Sequence, residues 1–145
     1  MRPSLRSEPI PQSAAPPRPH LWTVAEYHRM AETRLLDETS RVELIEGEIT
    51  DMAPIGTLHA FTLNRITQLF YRHFGNRYLI RVQDPISLGP RSEPQPDLVL
   101  ALDRDYSQHH PGPEEILLVL EVADVSFKYD RHIKLPLYLR HAIPE

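Results

Sequence analysis

The chain has 145 residues, a formal net charge of -4 and no cysteine. Its length suits one domain of ordinary size with a buried core. The cysteine count excludes disulfide bonds, cysteine-ligated zinc and a cysteine nucleophile, and the acidic balance argues against a strongly basic nucleic-acid coat protein. No apolar run approaches the roughly 20 residues of a membrane span. We therefore expect a cytoplasmic protein that is not bound to a membrane.

The first 20 residues contain six prolines and few large apolar side chains. This composition predicts a disordered, Pro-rich tail over residues 1–20 and a folded domain over residues 21–145. Order is expected to begin at a capping box, in which Thr23 is followed three residues later by Glu26. The apolar spacing that follows predicts a helix from about Thr23 to Glu32.

A β-hairpin and a long helix are predicted next. Residues 41–45 and 48–52 have the composition of strands, and the turn signal Glu46-Gly47 separates them. Residues 59–74 then follow a helical period, which Gly75 ends.

The second half of the chain is dominated by apolar runs that predict strands. They cover residues 78–83, 86–88, 98–102 and 116–120. We expect the last run to be a central strand that is buried on both faces. Residues 130–141 look helical, although Pro136 must kink that helix or lie near its start. The order helix, hairpin, helix, strands, helix indicates an α+β (mixed α/β) fold.

Two acidic residues border these strands. Asp97 opens the run 98–102 and Glu121 follows the run 116–120, where an ionised carboxylate costs several kcal/mol unless it is paired or bound to metal. Residue 109 is their midpoint, so a hairpin closed by the surrounding loop would place the two acids opposite each other, with Cβ atoms about 5 Å apart. Mg²⁺ or Mn²⁺ is the natural occupant of such a pair.

Simpler explanations exist for the same residues. Asp97 is also acceptable as a turn residue, and Glu121 as a solvated strand end paired with Arg131 or Lys134. A slip of one residue in the strand register would put the two acids on opposite faces. The loop pair His109-His110 resembles a metal motif, but neighbouring residues rarely bind one ion together, so we interpret both histidines as loop residues.

Four segments resemble, in the same order, the Uma-two family of restriction endonuclease-like proteins. They are RVELIEGEI at 41–49, SEPQPDL at 92–98, LEVADVS at 120–126 and the stretch from Tyr129 to Tyr138. The family belongs to the PD-(D/E)xK nuclease superfamily, so the resemblance implies a restriction-endonuclease-like core with a central mixed sheet flanked by helices. It also implies that Asp97 is the aspartate of the PD pair and that Glu121 is the second acid.

The catalytic lysine departs from the superfamily pattern. Ala123 stands where a lysine is expected, two residues after the second acid. The resemblance points instead to Lys134 on the following helix. Lys128 is a rival candidate, and the alternative is that Lys134 is a surface lysine on a helix with no role in the site. Lys134 would orient or help deprotonate the attacking water, or offset charge on the phosphate. The backbone carbonyl of Val122 would join Asp97 and Glu121 as a metal ligand.

Three further side chains are weaker site candidates. Glu43 alternates with Leu44 in the hairpin and faces either the site or solvent. His59 lies on the apolar face of its helix, as a water-positioning group or as a core histidine. Gln83, at the end of a strand, would contact metal-bound water or Glu121.

The sequence therefore predicts a Mg²⁺- or Mn²⁺-dependent endonuclease that cuts DNA. Phosphate contacts would come from scattered basic residues, namely Arg65, Arg72, Arg81 and Arg131. The alternative is a non-catalytic binding or assembly module with a nuclease fold. The acidic charge favours this alternative, as does a chain that stops at Glu145, where the resemblance implies a further strand. Such a truncated protein would be either unstable alone or completed by forming a homodimer.

Overall fold

The computed structural model describes residues 16–37, 39–123 and 126–144. Residues 16–20 are exposed and belong to no helix or strand, and the rest of the predicted Pro-rich tail lies outside the described residues. None of the helices in these ranges has the length and apolar character needed to cross a membrane.

Helix α1 spans Val24–Glu32 and begins at the predicted capping box. The Thr23 hydroxyl accepts the N–H of Glu26, and the Glu26 carboxylate accepts the N–H of Thr23 over 2.8 Å. Both N–H groups would otherwise lack a partner at the helix start, so the box fixes where the helix begins.

The predicted hairpin is present as strands β1 (Val42–Ile45) and β2 (Glu48–Asp51). The two turn residues, Glu46 and Gly47, have φ angles of 50° and 88°. Two consecutive residues with positive φ are typical of the tight turn whose twist matches that of the flanking strands. This turn fixes the register that buries every residue of β1.

Helix α2 (Thr57–Phe74) precedes a three-stranded antiparallel sheet. The sheet contains β3 (Tyr78–Val82), β4 (Leu98–Leu102) and β5 (Ile116–Leu120), in the order β3-β4-β5. The mixed α/β fold class is confirmed, and it is consistent with a restriction-endonuclease-like fold. The strand pairs of the described residues are all antiparallel, however, so the sheet is not mixed in direction.

Strand β4, not β5, is the central strand. Alternate residues of β4 pack into two apolar clusters, with Val99 and Ala101 in one and Leu98 and Leu100 in the other. Among the residues that the structure describes, strand β5 pairs with β4 on one side only, and its Leu117 is 37% exposed. The prediction of a central β5 was wrong because both runs are equally apolar, and apolarity alone does not reveal which strand has two neighbours.

The segment 86–88 is buried without forming a strand, contrary to the prediction. Ile86 and Leu88 are fully buried, yet their N–H groups donate to the carbonyls of Pro94 and Ser92 within the same loop. Gly89 turns this loop with a φ of 76°. The N–H of Ser87 donates to the carbonyl of Pro111 in another loop. The apolar spacing therefore predicts burial correctly, while the backbone hydrogen bonds are made to loops rather than to a neighbouring strand.

The C-terminal helical region contains a change of helix type that accommodates Pro136. It consists of α3 (Phe127–Tyr129), a π-helical turn (Asp130–Lys134) and α4 (Leu135–Arg140). In the π-turn the N–H of Leu135 donates to the carbonyl of Asp130, five residues earlier. Pro136 therefore lies in the first turn of α4, where a missing N–H is tolerated. Lys134 ends the π-turn and is buried.

Candidate functional site

The register of β4 and β5 brings Asp97 and Glu121 together. Leu98 pairs with Leu120, so the two acids lie opposite each other at one end of the sheet, as the midpoint argument predicts. The backbone N–H of Asp97 donates to Glu121 Oε2 over 3.2 Å, and the N–H of Val122 donates to Asp97 Oδ2 over 2.8 Å. A bulge between Leu100 and Ala101 shifts the pairing only beyond this point.

Two side chains from neighbouring elements hold the other oxygen of Asp97. His59, in the first turn of α2, donates from Nε2 to Asp97 Oδ1 over 2.9 Å. Gln83 donates from Nε2 to the same oxygen over 3.3 Å. His59 therefore pairs with a carboxylate instead of lying in the apolar core, and Gln83 contacts Asp97 rather than Glu121.

Gln83 reaches Asp97 from a strained backbone conformation. Its φ is 54°, in the left-handed region that residues with a Cβ atom rarely adopt. The backbone N–H of Gln83 donates to the carbonyl of Asp97 over 3.0 Å just beyond β3. Strain of this kind persists where surrounding contacts over-determine the geometry, and it is concentrated at functional sites.

Glu121 is held by the C-terminal helical region. Lys134 Nζ and the Tyr138 hydroxyl both donate to Glu121 Oε1, over 3.2 Å and 2.6 Å. Burial raises the pKa of Glu121 to about 7, against the opposing effects of Lys134 and Tyr138. The nearby Asp97 carboxylate also contributes to this raised pKa. Burial therefore favours the protonated form of Glu121 in the absence of a cation.

Lys134 bridges two carboxylates from different elements. Its Nζ lies 3.1 Å from Glu43 Oε2 and 3.2 Å from Glu121 Oε1, and it also donates to the carbonyl of Gln95 over 3.5 Å. Burial alone would lower the pKa of Lys134, but the two carboxylates together raise it above its ordinary value. The amine is thus a protonated cation, which fits an electrostatic role and does not fit the expectation that it helps deprotonate water.

The remaining lysine and glutamate candidates have clear positions. Lys128 is exposed on α3 and does not line the cavity described below, whereas Lys134 does. Glu43 is only 2% exposed, so the solvent-facing alternative does not hold. Its Oε2 accepts both Lys134 and the N–H of Gln95 over 3.1 Å.

The sequence analysis missed Tyr138 and Gln95. Tyr138 is buried against Glu121 and lies four residues after Lys134, so both side chains share one helix face. This spacing was a usable signal once Lys134 was chosen. The backbone of Gln95 contacts Glu43 and Lys134. Contacts of this kind were not predictable, because no sequence pattern indicates which main-chain groups a side chain will contact.

These side chains open into a cavity of about 240 Å³. Its lining is rich in acidic groups and contains few basic ones. The acidic and basic residues that line it, histidine included, are Arg41, Glu43, Asp51, His59, Asp97, Glu121, Asp130 and Lys134. The excess of carboxylates favours a cation over a bare phosphate as the first occupant.

The donor set at the two central acids fits a hard dication. Among the described residues, Asp97 Oδ1 and Glu121 Oε1 each accept two side-chain hydrogen bonds, whereas Asp97 Oδ2 and Glu121 Oε2 each accept one backbone N–H. A carboxylate oxygen has two lone pairs, so Oδ2 and Oε2 each keep one for a metal. Mg²⁺ commonly uses one or two carboxylates and completes its octahedron with water and phosphate oxygens.

The basic residues proposed for phosphate contacts fall into two groups. Arg65, Arg72 and Arg131 are exposed. Arg81 instead donates to the carbonyl of Pro85 over 3.4 Å and lies over the Tyr106 ring. The expectation for Arg81 therefore has to be dropped, because its guanidinium is half-buried and already engaged within the protein.

The chain matches a protein-family model. An α+β protein with a carboxylate pair at the end of its sheet and a buried lysine beside it has the features of a nuclease. Residues 24–145 match the Uma2 family, described as a putative restriction endonuclease, and the chain belongs to this family. Membership supports a nuclease function in broad terms. No curated protein matches the sequence.

Proposed function

We propose that this protein is a metal-dependent endonuclease of the PD-(D/E)xK type that hydrolyses phosphodiester bonds in DNA. The observation that carries the proposal is the pairing of Asp97 with Glu121, in which Oδ2 and Oε2 each accept only one backbone N–H and Lys134 lies beside Glu121 Oε1. Membership of the Uma2 family supports the same reaction class and the same class of substrate.

Asp97 and Glu121 hold Mg²⁺ or Mn²⁺ in this proposal, and the carbonyl of Val122 contributes a further oxygen. When bound, the dication supplies Lewis-acid polarisation of a phosphate oxygen and lowers the pKa of water. His59 and Gln83 fix the orientation of the Asp97 carboxylate through Oδ1. This leaves Oδ2 directed for metal binding before substrate arrives, which reduces the rearrangement needed on binding.

Lys134 acts as a fixed positive charge in this proposal. The salt bridges to Glu43 and Glu121 keep its amine protonated and hold it in one place. A buried cation close to the reacting phosphate would stabilise the negative charge that develops in the transition state. A buried cation does this more strongly than a solvent-exposed cation. Glu43 is then a positioning residue that acts through Lys134.

DNA binding would rely on contacts around the cavity. The acidic lining repels phosphate in the absence of a dication, so metal binding is expected to precede productive DNA binding. The exposed Arg65, Arg72 and Arg131 supply backbone contacts that carry no sequence information. Affinity for DNA should therefore fall steeply as salt concentration rises.

A second candidate function is assembly without hydrolysis. It is favoured by the outer edge of β5, which no strand of the described residues covers, and by exposed apolar side chains on α2. Leu58 is 68% exposed and Phe61 is 63% exposed. Such surfaces are typical of contact with another protein chain, and a homodimer is the simplest assembly that would cover them.

Plasmid cleavage separates the two candidates. Wild type, the double variant Asp97→Ala/Glu121→Ala and the control Asp103→Ala are incubated with supercoiled DNA and Mg²⁺ or Mn²⁺. Asp103 is an exposed acid that does not line the cavity. The endonuclease proposal predicts metal-dependent nicking by wild type and control, and none by the double variant. Equal behaviour of all three folded proteins, together with a stable dimer, would favour the assembly role.

A further inference from the structure

A cluster of metal-binding side chains lies outside the cavity. Glu93 forms an isolated antiparallel bridge with Leu44 of β1, and it is only 5% exposed. Its carboxylate lies between His28, on α1, and His110, in the loop between β4 and β5. His28 Nε2 is 2.8 Å and 2.9 Å from the two Glu93 oxygens, and His110 Nε2 is 3.9 Å from Oε1.

The three side chains converge closely enough to share one ion. One ligand atom from each of His28, Glu93 and His110 lies within 4.8 Å of the other two. Tetrahedral zinc with bonds of about 2.0 to 2.1 Å places its ligand atoms roughly 3.3 Å apart. The separations of 2.8 and 3.9 Å bracket that value, so small side-chain rotations are enough to admit the ion.

The two histidine rings come from different segments and form an edge-to-face pair. The imidazoles of His28 and His110 are 6.5 Å apart between centroids and nearly perpendicular, at 81°. They therefore do not stack on each other. His109 has a different environment, with its Nε2 3.6 Å from Glu115, so the neighbouring histidines do not act as a pair. The partner of His110 comes from α1 instead.

The donor chemistry selects the type of metal. Two imidazoles and one carboxylate are a common ligand set for zinc, whereas Mg²⁺ prefers oxygen ligands alone. The side chain of His28 is 48% exposed and that of Glu93 is 6% exposed. The Glu93 carboxylate thus lies on the buried side of the cluster, and His28 lies on its exposed side. An ion can enter from the exposed side, where a water molecule can bind as the fourth ligand.

We propose that His28, Glu93 and His110 form a second metal site that binds Zn²⁺. None of the three residues lines the cavity that contains Asp97 and Glu121. The ion would connect α1, the segment that bridges β1 and the loop after β4, three segments far apart in sequence. A site that ties such segments together stabilises the folded state, because the unfolded chain does not hold its ligands in place.

Zinc binding to purified, tag-free protein tests this proposal. Calorimetric titration with Zn²⁺, and titration with Co²⁺ followed by visible absorption, should show one more ion bound per chain by wild type than by the double variant His28→Ala/His110→Ala. His28→Ala and His110→Ala should each weaken binding by more than the roughly tenfold to hundredfold loss seen when outer-shell partners are removed. His109→Ala is the matched control and should bind as wild type does. Zn²⁺ should also raise the melting temperature of wild type but not of His110→Ala.

The double variant Asp97→Ala/Glu121→Ala should retain the zinc site, which separates it from the proposed catalytic metal. Two results would overturn the proposal. One is equal Zn²⁺ affinity for wild type and the double variant His28→Ala/His110→Ala. The other is the absence of binding to wild type, which would leave the three side chains as an ion-paired cluster only.

Discussion

Asp97 and Glu121 are joined by reciprocal backbone contacts across β4 and β5. The N–H of Asp97 donates to the Glu121 carboxylate, while the N–H of Val122, the residue after Glu121, donates to the Asp97 carboxylate. The carboxylate of each acid is therefore held by a backbone N–H from the opposite segment of the chain. Because the backbone of a sheet is rigid, these contacts would hold both carboxylates in place for the cation that we propose.

Replacing Lys134 by methionine should both destabilise the folded protein and slow DNA cleavage. The variant leaves the Glu43 and Glu121 carboxylates buried without their shared cation. Breaking a buried ion pair on one side costs about 3 to 5 kcal/mol. We expect a loss of this size in the free energy of unfolding, measured by guanidinium denaturation, and slower DNA cleavage with Mg²⁺ binding retained.

The double variant Lys134→Met/Glu43→Gln provides the control for that prediction. Glu43→Gln removes one of the two buried carboxylates that Lys134→Met leaves unpaired. It should therefore restore part of the lost stability without restoring cleavage. A Lys134→Met protein as stable as wild type would show that the salt bridges contribute little. Cleavage at the wild-type rate would remove Lys134 from the mechanism.

Glu121 should make the stability of the metal-free protein depend on pH. Its pKa is about 7 in the folded protein, above the ordinary value of 4.5, so the folded state binds this proton more tightly than the unfolded state. The resulting stabilisation is complete below about pH 4.5 and is lost as the pH rises to about 7. Glu121→Gln resembles the protonated form and should not show this loss.

The measurement is a set of denaturation curves in the presence of a chelator, recorded from pH 4.5 to just above pH 7. The difference in unfolding free energy between Glu121→Gln and wild type should grow through this range and then level off. Glu114→Gln, at an exposed acid, is the matched control. A difference that stays flat would show that Glu121 titrates normally in the folded protein.

Gln83 offers a test of backbone strain at the site. Its φ of 54° favours glycine over any residue with a Cβ atom. Gln83→Gly and Gln83→Ala both remove the amide that contacts Asp97, so their comparison isolates the backbone. The free energy of unfolding of Gln83→Gly should exceed that of Gln83→Ala by about 1 kcal/mol, as measured by chemical denaturation. The reverse order would contradict a left-handed residue here.

The parts of the structure that depend on local chemistry were predictable from the sequence. The Thr23–Glu26 capping box placed the start of α1 correctly, and the Glu46-Gly47 turn placed the hairpin. The pairing of Asp97 with Glu121 followed from the symmetry of two strands about residue 109. The choice of Lys134 depended on the family resemblance, because its spacing from Glu121 alone does not specify contact.

The parts that depend on distant neighbours were not predictable. The apolar runs of β4 and β5 look alike, so only the assembled sheet shows that β5 is at the edge. Ile86 and Leu88 are buried, but the backbone N–H groups of residues 86–88 donate to carbonyls in loops and not to a neighbouring strand. The convergence of His28 with His110 joins segments that share no sequence pattern. Each of these features is a consequence of tertiary contacts.

Calorimetric titration of Mg²⁺ into the folded protein tests the carboxylate pair most directly. Mg²⁺ prefers oxygen ligands, so the histidine cluster should not contribute to the signal. We predict one Mg²⁺ per chain for wild type and for the exposed-acid control Asp103→Asn, with affinity lowered more than about tenfold in Asp97→Asn. Equal Mg²⁺ affinity in wild type and Asp97→Asn would contradict a metal held between Asp97 and Glu121.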